Sequence, residues 1–227
     1  MLDSKLRLAS YKKNNPHELT PQQFSELEEY FKSPESNTIS DIILDFLLWC
    51  RGLPSRQERF SQFLSKKLPK TEGLKVLEVG CGRTARLSRF LTERGFNMTC
   101  IDPLLDLSYC IGFTGICDSF DYRTFDLSNY DFVIAQTPCD ATEHVVRACL
   151  NQNKPFIMTL CGVPHKLISG GIHADVYDWH NYLLNISHNE LKLRYIELDP
   201  LSSTALLKST NFWANQTAAL HGLLFTI

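Results

Sequence analysis

Long apolar runs are missing from this 227-residue chain. No stretch approaches the roughly 20 consecutive apolar residues that a membrane span needs, so no membrane partner is expected. The opening residues, Met1-Leu2-Asp3-Ser4-Lys5, lack the apolar core of a secretion signal, which makes the cytoplasm the expected compartment. Paired cysteines are missing too. The eight cysteines stand at 50, 81, 100, 110, 117, 139, 149 and 161. None forms a CxxC pair, so neither a zinc motif nor a disulfide framework is legible. Several sit in apolar, strand-like stretches, where cysteine acts as a small hydrophobe. Repeats and low-complexity segments do not occur. Strong net charge is absent as well, since 23 basic residues face 25 acidic ones. The distribution is uneven, however. Residues 51–94 hold 11 Lys or Arg against 4 Asp or Glu, a local excess of +7. Solvated helix faces explain such an excess. A cationic rim for an anionic or nucleic-acid partner is the sharper reading, and no nucleic-acid module supports it.

What is present is concentrated in Lys75-Val76-Leu77-Glu78-Val79-Gly80-Cys81-Gly82-Arg83-Thr84-Ala85, followed by Cys100-Ile101-Asp102. An apolar strand pattern runs into two glycines one residue apart, and a helix-forming run begins at once. A second apolar strand ends on a carboxylate 20 residues after Gly82. Glycine lets backbone N–H groups close on a ligand where a Cβ would block approach. A helix that starts there turns its positive end to the same place. A carboxylate at the tip of the next strand can accept ribose hydroxyls. The combination predicts a nucleoside-binding crevice.

Glu78-x-Gly80-x-Gly82 with Asp102 resembles motif I and the ribose acid of class I S-adenosylmethionine-dependent methyltransferases, over roughly Leu74 to Ile227. Thr84 stands where that family often has a third glycine. The resemblance implies S-adenosylmethionine as cofactor, bound along Glu78, Gly80, Cys81, Gly82 and Thr84, with Asp102 and Pro103 at its sugar. It also nominates Asp118 and Ser119 for the adenine amino group, with Phe120, Leu104 and Leu105 about the ring. Gln136, which ends the fourth strand, falls where the family touches the methionine part. The implied activity is methyl transfer to a small-molecule or nucleotide-like acceptor. Two other readings stay open. A catalytically silent methyltransferase-like domain would bind the cofactor or a partner protein without turnover. An NAD-dependent oxidoreductase would use Gly80-x-Gly82-x-x-Ala85 as a dinucleotide fingerprint. Against it, Glu78 stands where dinucleotide folds usually keep an apolar residue.

Along the chain, three helices precede the first strand. Thr20-Pro21-Gln22-Gln23 and Ser55-Arg56-Gln57-Glu58 both read as capping boxes, and Ser40 to Arg51 is strongly apolar between them. From Leu74 the pattern alternates. Strands are expected at 74–79, 97–101, 111–116, 130–135 and 155–160, with helices over 138–152 and over 84–94, where Leu87, Phe90 and Leu91 would face the sheet. Two closing strands, 191–198 and 218–226, would make the edge hairpin that the resemblance implies. The expected fold is α/β: a Rossmann-like, doubly wound, mostly parallel sheet with an antiparallel edge strand. A helical cap over residues 1–72 precedes this domain, which takes 73–227. Nothing in the sequence fixes an oligomeric state.

A base is needed only if the methyl acceptor is protonated. The candidates are Asp140, Glu143 and His144, which open the helix after the fourth strand, Asp140 first among them. Thr137-Pro138-Cys139-Asp140 also reads as a cap, and Glu143 and His144 as surface residues. The absence of an Asn/Asp-Pro-Pro-aromatic motif disfavours the amino groups of adenine or glutamine as acceptors. After the fifth strand, Cys161 to His180 carries three histidines on a Gly-hinged stretch that reads as a lid or acceptor wall. His165 and His173 are its catalytic candidates, and His180, at helical spacing from Val176 and Leu183, reads as packed. The spacings of Cys161, His165, His173, Asp175 and His180 match no standard metal pattern, so no metal is expected.

Overall fold

The computed structural model of the chain describes residues 54–160, 168, 176–186, 191–199 and 202–209. The first described element is helix α1 (Arg56–Lys67). Ser55 caps it, its hydroxyl oxygen accepting the Glu58 N–H at 3.2 Å, as the Ser55-x-x-Glu58 spacing predicts. Phe60 and Leu64 then recur at helical spacing and are buried, with Leu68 just past the helix. The two expected helices nearer the N-terminus lie outside the described residues, and so does most of the expected cap.

Among the described residues, seven strands form one sheet: β1 (Lys75–Val79), β2 (Asn97–Ile101), β3 (Thr114–Ile116), β4 (Phe132–Gln136), β5 (Phe156–Thr159), β6 (Leu191–Asp199) and β7 (Ser202–Ser209). Their order is β3-β2-β1-β4-β5-β7-β6. The first five run parallel. β7 lies antiparallel to β5, and β6 antiparallel to β7. Helices α2 (Arg86–Thr92), α3 (Thr142–Asn151) and α4 (Val176–Asn185) complete the described fold.

Strand side chains alternate between faces, and the alternation sorts the helices. Val76, Ile134 and Ile157 meet Phe60 and Leu64 of α1 and Leu87 and Leu91 of α2. Leu77, Val133 and Met158, one residue along, meet Val145 and Val146 of α3 and Trp179 and Leu183 of α4. Both faces are covered, so the central strands read as continuous apolar runs. This is a Rossmann-like, doubly wound sheet with an antiparallel edge. Cutting Leu64 or Leu91 to alanine removes a fully buried side chain and costs about 2–5 kcal/mol. Strand order reverses between β1 and β4, and the crevice beyond their carboxyl ends is where such sheets bind ligands.

The outcome differs from the sequence reading in four places. The hairpin partner of β6 is 202–209, and 218–226 lies outside the described residues. β3 is confined to three residues. Helix α2 begins at Arg86 because Ala85 takes a left-handed turn, φ 44°. Phe90, expected to face the sheet, is half-buried, with the guanidinium groups of Arg89 and Arg94 each 5.9 Å from its ring centre.

Candidate functional site

The β1 tip is built around a buried acid. Glu78 is 2 % exposed, and its carboxylate accepts the Ser88 hydroxyl of α2 at 2.5 Å. Burial pushes its carboxyl up to about 7, with the Ser88 hydrogen bonds pulling the other way. Gly80 and Gly82 follow in left-handed conformations, φ 73° and 68°, which glycine adopts without a steric penalty. A Cβ on Gly80 would lie 2.9 Å from Pro138 Cβ and 3.0 Å from its Cα. That glycine is therefore required by the contact between two loops, where the sequence suggested a ligand's approach. Cys81, 5 % exposed, packs with Ala85, Cys100 and Leu105. A hydrogen bond with the Cys100 thiol, then burial, raise its thiol far above the ordinary range, so it is no nucleophile. Asp102 closes the tip of β2. One carboxylate oxygen accepts the Gly82 N–H at 2.9 Å, the other the Leu104 N–H at 2.8 Å.

The β4 tip is built differently. Gln136 ends the strand and donates from Nε2 to the Arg56 carbonyl at 3.3 Å, which joins α1 to the sheet's carboxyl edge. Thr137 and Cys139 then take left-handed conformations, φ 48° and 49°. Such backbone costs roughly 1–2 kcal/mol per residue with a side chain, and it clusters at functional sites. The Thr137 N–H is held by both the carbonyl and the hydroxyl of Thr159, at 3.0 and 3.2 Å. The Thr142 hydroxyl donates to the Cys139 carbonyl at 2.7 Å. This overturns the expected cap. Thr137 does not cap α3, whose first residue is Thr142, and Asp140 sits exposed in a short 3-10 turn over 139–141.

Glu143 is the larger correction. Expected on the surface, it is 1 % exposed. It accepts Arg147 Nε at 2.9 Å, the Tyr182 hydroxyl at 2.6 Å and the Ile168 N–H at 2.9 Å. Burial alone would raise its carboxyl, but these donors prevail and hold it below the usual range. The group ties α3 to α4 and to the segment after β5. His144, also expected on the surface, is half-buried and accepts the Tyr122 N–H at 3.3 Å. His180 is 3 % exposed, as its spacing predicts.

The two tips enclose one cavity of about 780 Å³. Of the residues nominated from sequence, it brings together Glu78, Gly80, Cys81, Gly82, Asp102 and Gln136. Leu104, 75 % exposed, stands at its edge with Leu105 beneath. The other nominated residues stand apart from the cavity wall. Thr84 is fully buried and Pro103 is exposed. Asp118 and Ser119 are exposed, with the Ser119 N–H bonded to Asp118 at 2.7 Å, and Phe120 is a core residue against Phe125. His165 and His173 lie outside the described residues. Among the described residues, no three His, Cys, Asp or Glu side chains gather as metal ligands.

Sequence reasoning missed the basic part of the wall. Arg56 and Gln57 of α1, with Arg83 and Arg86 beside the glycines, line the same cavity. Both helices begin with arginine, but only the fold brings those two starts to one edge of the sheet. Gln57 and Gln136 each hold a side-chain amide oxygen shut off from solvent that accepts no hydrogen bond. The cavity thus offers acceptors for a hydroxyl or ammonium, and cations for an acid.

No family model matches the chain, and no curated protein matches it. Solved structures resemble it. One is the magnesium protoporphyrin IX methyltransferase of Synechocystis PCC 6803 with bound SAM: 15 % identity, 92 % of this chain and 97 % of that one, TM-score 0.48. Another is the plantazolicin methyltransferase BpumL in complex with SAH: 12 % identity, 91 % and 98 % coverage, TM-score 0.47. A third is the tRNA (uracil-54, C5)-methyltransferase of Pyrococcus abyssi, at 12 % identity and TM-score 0.44. The alignment takes 68 % of this chain but only 38 % of that longer one. Likeness at this level concerns the course of the backbone and not its chemistry.

Proposed function

We propose that this chain binds S-adenosylmethionine and transfers its methyl group to a small-molecule or nucleotide-like acceptor in the cytoplasm. One observation carries the reading. The Glu78–Gly82 loop, Asp102 and Gln136, nominated from sequence by one family resemblance, line a single cavity at the point where strand order reverses. The residues suit the group. Asp102 keeps acceptor capacity on both oxygens for ribose hydroxyls, since a carboxylate has about four lone-pair sites and two are used. The solvent-shielded amide oxygens of Gln57 and Gln136 suit an ammonium. Leu104 and Leu105 supply apolar cover.

When bound, the cofactor supplies a methyl group already activated on a sulfonium. The chain's own residues contribute alignment and exclusion of water. Glu78 acts at a distance: bonded to Ser88, it fixes the first turn of α2 against the strand from which the glycine loop springs. Asp102, held by two backbone N–H groups, presents its carboxylate in one orientation. As for membranes, no helix among the described residues is long and apolar enough to cross one.

Calorimetry tests the reading. The parent should bind S-adenosylhomocysteine, and Asp102→Ala should weaken it about 10- to 100-fold, the loss of one or two charge-assisted hydrogen bonds. Equal affinity in both proteins would refute it.

A further inference from the structure

We infer that Glu78 is the residue by which this cavity separates the methyl donor, whose sulfur is a cation, from the product, whose sulfur is neutral. The assignment rests on the methyl-donor reading of the same cavity. Three observations lead to it. First, Glu78 belongs both to the interior and to the cavity wall. The residue is 2 % exposed, yet it lines the crevice with Gly80 and Asp102. A charge so placed acts through protein more than through water, so its attraction for a cation is weakly screened.

Second, the carboxylate has no cation of its own among the described residues. Its partners are the hydroxyl and the backbone N–H of Ser88, both neutral. Its register partners in the sheet are Cys100 on β2 and Ile134 on β4. The charge that bears on it is Asp102, which repels, and the Cys81 thiol beside it is un-ionised. Arg56, Arg83 and Arg86 line the same cavity, but Arg83 faces Asp106 and the other two engage groups other than Glu78. A buried carboxylate without a cation is costly. Burial, with the Asp102 repulsion added, therefore raises its carboxyl to about 7 against the pull of Ser88.

Third, Asp102 shares this condition, since it accepts only the Gly82 and Leu104 N–H groups. Two acids at the ends of neighbouring strands thus share one wall, and a cationic ligand supplies what both lack. A sulfonium holds Glu78 in its charged form, and the proton leaves to solvent as the donor binds. A neutral sulfur does not, so Glu78 keeps its proton and the product is held less tightly. The sign with pH follows. Discrimination is full above about 7, where Glu78 is charged before the donor arrives. It fades below that value, where binding must first expel a proton.

The test is calorimetry on the full chain with S-adenosylmethionine and S-adenosylhomocysteine, which share their ammonium, carboxylate and adenosine. In the parent, the ratio of donor to product affinity should rise about 5-fold between pH 6 and pH 8. Glu78→Gln keeps the shape and an oxygen for Ser88. It should lower donor affinity about 10-fold at pH 8 and product affinity less than about 3-fold, and its ratio should change less with pH. The ligands' own ionisation is common to both proteins and drops out of the comparison. Ser88→Ala carries the test without touching the carboxylate. It removes the donor that lowers the Glu78 carboxyl, so the rise should move up by as much as about one pH unit. Four outcomes overturn the assignment: the Gln variant shows the parent's pH dependence, it keeps the parent's ratio at pH 8, it loses donor and product alike, or the rise in Ser88→Ala stays where the parent has it. Loss of both ligands alike would mean that Glu78 serves the ammonium or the loop. If the parent binds neither ligand, the methyl-donor reading falls and takes this assignment with it; if it binds both without discrimination, only the assignment falls.

Discussion

The two strand tips that enclose the cavity solve the same problem by opposite means. At the β1 tip, the first two left-handed turns fall on glycines, with Ala85 following at the start of α2, and the buried acid, Glu78, is pushed toward its protonated form. At the β4 tip, the left-handed turns fall on Thr137 and Cys139, and the buried acid nearby, Glu143, is held in its charged form by Arg147, Tyr182 and Ile168. One tip puts most of its left-handed turns on glycine and tolerates an acid it cannot fully solvate. The other carries strain and surrounds its acid with donors. A buried carboxyl's protonation is thus decided by the donors around it and not by burial alone.

The sharpest way to break this contrast is Gly80→Ala. It adds a left-handed penalty and a collision with Pro138, and should cost about 3–4 kcal/mol. A denaturant midpoint that does not move would mean that the two tips do not touch as described.

Next in size is Glu78→Gln. The folded value, about 7, lies above the ordinary 4.5. Glu78's contribution to the parent's stability should therefore be greatest below pH 4.5 and decline by about 3 kcal/mol as pH rises to about 7. The glutamine variant should lose that decline. Unfolding at pH 5 and pH 8 checks it; parallel pH profiles would remove Glu78 as the titrating group.

Glu143→Gln should cost about 2 kcal/mol at neutral pH, because Arg147 loses its charged partner. Here the sign reverses. A lowered folded value means the contribution is present above the ordinary 4.5 and vanishes as the solution is acidified below it. The parent and variant curves should merge at low pH. A gap that persists there would show that packing, not charge, accounts for the loss.

Smallest is Thr137→Gly. Relief of the left-handed strain should offset the added freedom of the unfolded chain and leave stability unchanged or raised by up to about 1 kcal/mol. A loss of 2 kcal/mol or more would mean that the threonine side chain contributes more than its backbone costs.

The contrast also explains what could be read beforehand. β1, β2, β4 and β5 were legible because a sheet covered on both faces writes its strands as continuous apolar runs. The glycines and Asp102 were legible because few residues can hold their positions. Glu143 was not. A glutamate four residues before an arginine reads as a solvent-facing pair, and only the return of Tyr182 and Ile168 from far along the chain buries it. Thr137-Pro138-x-Asp140 has the letters of a helix cap, yet the contact with Gly80 bends the backbone left-handed and delays α3 to Thr142. The hairpin partner was misplaced because Ser202–Ser209 is less apolar than the stretch at 218–226. Arg56 and Arg86 were hidden for a simpler reason: sequence does not say which helix starts share an edge of the sheet.

Gly80 and Pro138 occupy one slot of space between them, and neither can grow unless the other shrinks. The separation of the two strand tips is therefore set by two residues 58 positions apart. Gly80→Ala combined with Pro138→Gly should recover part of what the first change loses, a non-additive coupling that mutations on independent loops would not show. Bringing the two tips closer or farther apart is a two-residue adjustment, and the pair is where that spacing is decided.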